Sequence, residues 1–210
     1  MNTKISINCH SSIKIIDKKI IYFDPYQIEE ESHDADMIFI THDHYDHLDF
    51  QSISKIKKDD TVIILPNTCA RKLIADKKDM TQYIGVNPNE QYFIKEINVT
   101  TIPSYNTNKE FHKKTENWVG YIIELNNEKI YVSGDTDINE DIKKVKCDIA
   151  LIPIGGTYTM NKEEAAELIN IIKPKVVIPT HYAKIVGELK DGEDFKSLIN
   201  KETECHLLIK

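Results

Sequence analysis

The order of apolar segments predicts an α/β fold of the α+β kind, with two mixed β-sheets packed together and helices outside. Each half of the chain is rich in strands at first and then alternates strands with helices. Each half also holds a buried strand that runs out into a polar loop, at 36–41 and at 148–153. With 210 residues and 40% hydrophobic content the chain can bury one good core, so we expect a single domain over residues 1–210.

The first half begins with three short β-branched segments separated by polar turns, which predict an antiparallel meander. These segments are 4–8, 12–17 and 20–24. An acidic loop then leads into a buried strand at 37–40. Helical spacing behind Asp49, a good N-cap residue, predicts a helix over 49–58. The rest of this half predicts a strand, a capped helix and a strand at 61–65, 67–77 and 96–102.

The second half opens with a predicted hairpin, because two apolar segments flank the turn Asn126-Asn127. Its strands are 118–125 and 129–133. A buried strand at 148–152 follows, and then a helix from about 162 to 172 with apolar residues on one side. A last buried strand is predicted at 176–179.

Charge and cysteine content narrow the class of partner. Acidic residues outnumber basic ones by 34 to 27, so a small-molecule substrate is a more natural partner than nucleic acid. We find neither a secretory signal pattern nor an apolar run of membrane-spanning length, so no membrane partner is expected. The four cysteines lack C-x-x-C spacing and indicate reduced thiols in a cytoplasmic protein. The sequence is compatible with a homo-oligomer.

The most informative segment is Thr41-His42-Asp43-His44-Tyr45-Asp46-His47, directly behind the strand at 37–40. Imidazole binds zinc, iron and manganese, and carboxylates add the negative charge that a pair of cations needs. If the strand ends at Thr41, these side chains fall on a loop that can turn several of them towards one point. The alternative is a histidine-rich surface loop, which accounts less well for so specific a pattern as H-x-H-x-D-H.

That pattern resembles the signature of the metallo-β-lactamase superfamily, and two later motifs resemble the same family. They are Gly134-Asp135-Thr136-Asp137 and Pro179-Thr180-His181-Tyr182. The resemblance implies that Asp135 bridges two metal ions and that His181 is the last ligand. Taken alone, the first motif is more often a turn in which Asp137 or Asn139 caps a helix, and a histidine at a strand end is usually a hydrogen-bonding loop residue.

The small single-domain branch that includes ascorbate-6-phosphate lactonase, the UlaG-like branch, is the most similar. That similarity rests on Cys9-His10-Ser11-Ser12, on Trp118-Val119-Gly120-Tyr121 and on the segment 153–160. It implies a four-layer αββα sandwich with two divalent ions, zinc or manganese, with iron also compatible. One ion would be held by Asp46, His47, His181 and Asp135, and the other by His42, His44 and Asp135.

The second ion lacks an obvious further ligand, because Tyr105-Asn106 lies where the superfamily usually carries a histidine. Asn106 offers a neutral amide oxygen, which suits manganese, magnesium or calcium better than zinc. His112 is an alternative ligand, and the opposing interpretation makes it an exposed histidine in a basic loop. We therefore expect unequal metal sites, with the one at His42 and His44 the weaker.

The expected reaction is hydrolysis of a small, anionic ester, lactone or phosphoester by a water that the two ions share and activate. Asp46, Asp135 and His10 are the predicted catalytic residues, and Asp43 could orient a histidine or cap its loop. Substrate contacts are expected from residues that could bind an anion or line the site: Lys113, Trp118, Gly155, Gly156, Thr157 and Tyr158. Alternatives are a phosphodiesterase or nuclease of the same fold, or a metal-binding or ligand-sensing protein with little catalysis.

Overall fold

The computed structural model describes residues 3–75 and 83–210. Its first sheet has six strands in chain order: β1 (Lys4–Ile7), β2 (Ile13–Ile16), β3 (Ile20–Phe23), β4 (Ala35–Phe39), β5 (Lys57–Pro66) and β6 (Tyr83–Val86). Strands β1 to β3 form the predicted antiparallel meander, whereas β3 to β6 run parallel to one another. The sheet is therefore mixed, as the sequence predicts.

The second sheet has seven strands: β7 (Gln91–Ile94), β8 (Ile97–Pro103), β9 (Val119–Leu125), β10 (Glu128–Val132), β11 (Ile149–Pro153), β12 (Val176–Thr180) and β13 (Glu204–Cys205). They lie side by side in the order β13 to β7. Strands β7 to β10 are antiparallel and β10 to β13 are parallel. The predicted hairpin around Asn126-Asn127 is the β9–β10 pair.

The core lies between the two sheets and buries apolar side chains from both. Phe23 stacks on Phe39 with ring centroids 4.8 Å apart, and Phe39 meets Tyr121 of the second sheet edge-on at 5.0 Å. Helices α1 (Phe50–Ile56) and α2 (Asn67–Ala75) cover the other face of the first sheet. Helices α3 (Lys162–Ile172) and α4 (Lys190–Leu198) cover that of the second. The result is the expected four-layer αββα sandwich.

Local sequence explains where helices α1 and α3 begin. Asp49 caps α1 by accepting a hydrogen bond from the Gln51 N–H at 3.0 Å, and Asn161 and Glu164 form a capping box at the start of α3. Helix α1 ends at Ile56, two residues before the predicted end, because the chain becomes extended at Lys57 and enters β5. The last two residues of the helix predicted over 67–77 lie outside the described part of the chain.

Several short elements were absent from the sequence prediction, namely β6, β7, β13 and α4. Helix α4 buries only Gly192 and Phe195, so its sequence shows little helical periodicity of apolar residues. Within residues 3–75 and 83–210, every helix is too short or too polar to cross a membrane.

The parallel strands end at one edge of the sandwich and bring distant loops together there. The chain leaves β3 at Asp24, β4 at the loop 41–47, β10 at Gly134-Asp135 and β12 at His181. The Tyr121 hydroxyl donates to the Ile40 carbonyl at 2.8 Å, which ties the second sheet to the end of β4. Since ligand sites in α/β folds form at the carboxyl ends of parallel strands, this edge is where a functional site is expected.

Candidate metal centre

Histidine and carboxylate side chains form overlapping groups at this edge, with the ligand atoms of each group within 4.8 Å of one another. The first, called here the Asp46 group, contains His10, Asp46, His47 and His181. The second, the His42 group, contains His42, His44 and His112. His42 and His47 also form a group with Asp135. The fold thus gathers all the firmly predicted ligands, together with His10 and His112, in one place.

Asp135 lies between the two groups. Its Oδ2 is 3.0 Å from His181 Nε2 and 3.3 Å from His112 Nε2, and its Oδ1 is 3.4 Å from His47 Nε2. Gly134 allows this approach, because its φ of +64° and the 2.9 Å that would separate an added Cβ from the Thr41 Cβ exclude a larger residue. The carboxylate is therefore placed to contact cations held by either group.

Asp24 fixes the orientation of His47. The Asp24 carboxylate lies 2.8 Å from His47 Nδ1 and accepts hydrogen bonds from the Thr41 N–H and hydroxyl at 2.8 and 2.7 Å. This leaves His47 Nε2 directed at Asp46 and Asp135, the arrangement that carboxylates commonly impose on metal-binding histidines. Sequence analysis considered Asp43 for such a role and missed Asp24, whose only signal is its position at the end of β3.

The charges of the site favour a cation. Although burial opposes protonation, the carboxylates of Asp135 and Asp24 raise the pKa of His47 well above its ordinary value. Burial also disfavours ionisation of Asp135, yet His181 and His47 hold the pKa of its carboxyl well below its ordinary value. Burial, reinforced by His47, lowers the pKa of His42 well below that of a free histidine, which leaves a neutral imidazole. The neutral imidazole of His42 beside the ionised carboxylate of Asp135 offers donors suited to a divalent metal, and a cation bound there would take the place of the proton on His47.

Several buried polar atoms of the site have no hydrogen-bond partner. They include His10 Nε2, His47 Nε2, His112 Nε2 and Asp135 Oδ1. Burying such atoms unpaired is costly, so their convergence indicates a ligand that pairs with all of them. Donor atoms 3.0 to 3.9 Å apart also match the spacing expected around a cation with bonds of about 2 Å. The residues present thus fit divalent metal ions.

His112 is buried, with 3% of its surface exposed, so the interpretation as an exposed histidine is wrong. Its ring lies 5.0 Å from that of His42 and 4.8 Å from that of His44. Asn106, the other ligand candidate, instead donates through Nδ2 to the Tyr158 carbonyl at 2.7 Å and lies 3.3 Å from His112 Nδ1. This geometry favours His112 over Asn106 as the third donor of the His42 group.

The segment 104–118, called here the His112 loop, is tied to the loop that carries Asp135. Asp137 accepts hydrogen bonds from the N–H groups of Thr107 and Asn108 at 3.0 and 3.4 Å and pairs with Lys109. Asn139 Oδ1 accepts from the Asp141 and Ile142 N–H groups at 3.0 and 3.1 Å and so stabilises the turn that leads into the short 3-10 helix Ile142–Lys144. The second aspartate of the motif therefore holds the His112 loop, and the local turn expected there is stabilised by Asn139.

The predicted catalytic residue His10 is fully buried within the Asp46 group. Its Nε2 lies 3.3 Å from Asp46 Oδ2, and its ring centroid is 3.7 Å from that of His181. Its carbonyl accepts a hydrogen bond from the His181 N–H at 3.0 Å. His10 can therefore hold or position Asp46 and His181, and it is absent from the lining of the cavity described below.

The predicted substrate residues lie in different places around the centre, and among Trp118, Lys113 and Tyr158 only Tyr158 lines the cavity over it. Trp118 packs against His42 and His44 at ring distances of 4.8 and 4.9 Å and so supports the His42 group from the side. Lys113 lies in a neighbouring cleft, where its Nζ is 3.9 Å from Glu110. Tyr158 lines a cavity of about 250 Å³ that opens over the centre.

The Gly155-Gly156-Thr157 turn does not offer the free N–H donors expected for binding an anion. The Gly156 N–H donates to the Met160 carbonyl at 3.0 Å, and the Thr157 N–H donates to the Gly155 carbonyl at 3.1 Å. An added Cβ on Gly155 would lie 2.2 Å from the His181 carbonyl oxygen. Gly155 therefore allows the chain to pass close to His181, a structural reason for a glycine at this position.

Histidines and carboxylates gathered at one edge of an αββα sandwich define a class of metal-dependent hydrolases. Residues 3–182 match the family model described as the beta-lactamase superfamily domain. A UPF0173 metal-dependent hydrolase of Thermococcus onnurineus is 30% identical over 219 residues, which cover 98% of this chain and 96% of that protein.

Two solved structures share the architecture. A candidate metal-dependent hydrolase from Parabacteroides distasonis has a TM-score of 0.83 and 26% identity, covering 99% of this chain and 94% of that one. The metallo hydrolase Igni18 from Ignicoccus hospitalis has a TM-score of 0.78 and 21% identity, covering 99% of this chain and 95% of that one. The chain belongs to the metallo-β-lactamase superfamily, and it is a metal-dependent hydrolase.

Proposed function

We propose that the protein hydrolyses a small carboxylic ester, lactone or phosphoester at a centre of two divalent ions, with Asp135 as the bridging carboxylate. The observation that carries this proposal is the position of Asp135, whose two oxygens reach residues of both groups at 3.0 to 3.4 Å. Zinc, manganese and iron all suit such a set of imidazole and carboxylate donors.

The proposed ligand sets follow the two groups. Asp46, His47 and His181 would hold one ion, with His10 within reach, and His42, His44 and His112 would hold the other. Two such cations would supply Lewis acidity and would lower the pKa of a nearby water towards neutrality. A catalytic base with a tuned pKa is then unnecessary.

The chain's own residues orient the reactants. Asp46 lines the cavity and is placed to accept a hydrogen bond from the attacking water. Although burial opposes ionisation, the imidazoles of His10 and His181, 3.3 and 3.7 Å from Asp46 Oδ2, lower the pKa of Asp46, so that carboxylate stays ionised. Trp118 packs beside His42 and His44 and helps to fix the positions of their rings. The substrate carbonyl or phosphoryl group would enter from the cavity side.

Two further functions remain as alternatives. A phosphodiesterase would use the same donor set, but the excess of acidic residues, 34 against 27, disfavours a polyanionic nucleic acid. A sensor with little catalysis would need only one tightly held ion. The four cysteines lack C-x-x-C spacing, and no disulfide joins them in the described part of the chain, so a cytoplasmic location is part of the proposal.

The test combines metal analysis with an activity screen over 4-nitrophenyl esters, lactones and bis(4-nitrophenyl) phosphate. We expect about two ions per chain and turnover that a chelator abolishes and added metal restores. One tightly held ion without turnover of any of these compounds would favour the sensor, and turnover of the phosphodiester alone would favour the phosphodiesterase.

A further inference from the structure

The cavity over the centre has an unusually apolar mouth. Of the eight large hydrophobic side chains that are exposed in the described part of the chain, three line this cavity, namely Tyr45, Phe111 and Ile185. They come from different loops, and their exposed fractions are 67%, 48% and 36%. A cluster of exposed apolar side chains around a concave site usually marks contact with an apolar ligand.

Tyr158 completes an aromatic wall on one side of the cavity. Its ring meets that of Phe111 edge-on, with the centroids 5.0 Å apart. Ile185 lies four residues beyond His181, on the segment that follows β12. A group entering between Phe111, Tyr158 and Ile185 would therefore contact apolar surface beside the carboxylates and imidazoles of the centre.

Among the described residues, this lining includes no lysine or arginine side chain. Among the described residues that line the cavity, the only ionisable groups besides the two tyrosines belong to the centre itself: His44, Asp46, His112, Asp135 and His181. Lys184, next to Ile185, lines clefts on the other side, beside Cys9. A carboxylate or phosphate on the far end of a substrate would lose water here without gaining a cationic partner, which is costly.

The neighbouring cleft does not supply such a partner either. It shares His44, Phe111 and His112 with the cavity, and its other ionisable residues include Glu110, Glu116 and Lys113. The Lys113 ammonium lies 3.9 Å from the Glu110 carboxylate, so its charge is already partly balanced. An anionic substrate tail is thus disfavoured on both sides, and the earlier expectation of an anionic substrate finds no support in this lining.

We propose that the substrate is a neutral ester or lactone whose acyl part carries a small aromatic or branched aliphatic group held by Phe111, Tyr158 and Ile185. This assignment rests on the proposed hydrolase function. Hydrolysis adds water across the acyl C–O bond and gives a carboxylic acid and an alcohol, without any redox change. A volume of about 250 Å³ lies below the range of about 300 to 1,000 Å³ typical of drug-sized ligands, so the acyl group is small.

The experiment compares esters that share one leaving group. The metal-loaded protein is given the 4-nitrophenyl esters of acetic, isobutyric and phenylacetic acids and the mono-4-nitrophenyl ester of succinic acid. We expect kcat/KM for isobutyrate and phenylacetate to exceed that for the succinate monoester by about tenfold or more, a typical discrimination for one mismatched group in a pocket. Each rate is corrected for spontaneous hydrolysis.

Two variants test the residues named. Phe111→Ala should lower kcat/KM for phenylacetate by about tenfold, mainly through KM, because it removes binding surface. Ile185→Lys should raise kcat/KM for the succinate monoester and lower it for phenylacetate. Phe93→Ala is the control, since Phe93 is an equally large side chain, 71% exposed, on β7 at the outer edge of the second sheet. Metal content is measured for every variant, because Phe111 adjoins His112.

A binding measurement separates this assignment from catalysis. Calorimetry should show the hydroxamate of phenylacetic acid binding the metal-loaded protein at least about tenfold more tightly than the hydroxamate that carries a succinate carboxylate. Ester turnover with equal or better use of the succinate ester, or equal binding of both hydroxamates, would overturn the substrate assignment alone. Failure of the two-metal protein to hydrolyse any carboxylic ester, lactone or phosphoester would overturn the proposed function and the assignment with it.

Discussion

The two halves of the metal centre are built differently. Both groups take residues from the loop 41–47 that follows β4, and the Asp46 group is completed by His181, which directly follows β12, so a regular strand sets the position of that last ligand. In the His42 group, His112 comes from the His112 loop, whose regular structure among the described residues is a single 3-10 turn at Lys114–Glu116. A ligand at a strand end is positioned by the sheet, whereas a ligand on a long loop needs polar contacts to hold it.

Different polar contacts hold the ligands of the two groups. The Asp46 group depends on one buried carboxylate, Asp24, which lies 2.8 Å from His47 Nδ1. The His112 loop depends instead on Asp137, which receives the N–H groups of Thr107 and Asn108, and on Asn106, which binds the Tyr158 carbonyl. The comparison therefore predicts that the two ions can be lost separately, and the following predictions test it from the largest effect to the smallest.

Asp135→Ala should remove both ions and lower activity by more than about 100-fold. Residues that only support a metal ligand typically change activity by about 10- to 100-fold, and a direct ligand of both ions should exceed that range. Asp135 would offset the repulsion between the two cations, so neither site keeps its full charge balance without it. Metal analysis and steady-state kinetics measure the effect. The control is Asp60→Ala, whose side chain is 69% exposed. Two ions retained in the Asp135 variant would show that this carboxylate is not a bridge.

His112→Ala should remove one ion and leave the other in place. Its imidazole contributes to the His42 group alone, while Asp46, His47 and His181 remain intact. The measurement is the number of ions per chain after exhaustive dialysis. Asn106→Ala is the matched comparison. If that variant loses the ion and His112→Ala keeps it, the amide is the ligand and the geometric preference for His112 is wrong.

Asp24→Asn should weaken metal binding in the Asp46 group by about 10- to 100-fold, the range typical of carboxylates that orient a metal-binding histidine. The amide keeps the shape of the side chain but loses the charge beside His47. Competition with a chelator measures both affinities in one experiment. Equal weakening of both sites would indicate a general loss of structure, and thermal unfolding checks for it.

Asp137→Asn should weaken metal binding at the His42 group rather than at the Asp46 group, and by less than Asp24→Asn weakens the Asp46 group. It weakens the hydrogen bonds from Thr107 and Asn108 and the pairing with Lys109, so it loosens the His112 loop while leaving the Asp46 group untouched. We expect about a tenfold loss of affinity at the His42 group, at the lower end of the range for supporting residues. An unchanged metal affinity at the His42 group would show that the contacts of Asn106 and Trp118 are enough to hold the His112 loop in place.

The sequence reveals the parts of the centre whose residues are close in the chain or fall in recognisable motifs. His42, His44, Asp46 and His47 lie within six residues, and Asp135 and His181 are in motifs that follow predicted strands. The order of strand-rich and alternating segments predicts two mixed sheets with helices outside, and the resemblance to the metallo-β-lactamase superfamily implies the four-layer order; the structure confirms both. The single domain over 1–210 stays a prediction.

The remaining features depend on tertiary contacts that no local pattern encodes. The choice between Asn106 and His112 is decided by the Tyr158 carbonyl, 52 residues from Asn106. Asp24 acts on His47, 23 residues away, and has no motif of its own. The turn at Gly155 was predicted to bind an anion because two adjacent glycines can present free N–H groups. The structure shows that the N–H groups of the turn donate to the carbonyls of Met160 and Gly155, which the sequence alone does not reveal.

The central claim is that one carboxylate, Asp135, joins two ions, and electron paramagnetic resonance tests it most directly. The protein is loaded with two Mn²⁺ ions per chain, and its spectrum is compared with that of the His112→Ala variant carrying one. We predict a spectrum of two coupled Mn²⁺ ions, as expected at a separation of about 3.5 to 4 Å, and the six-line signal of an isolated ion in the variant. Six-line signals from both ions in the unmodified protein would contradict the account.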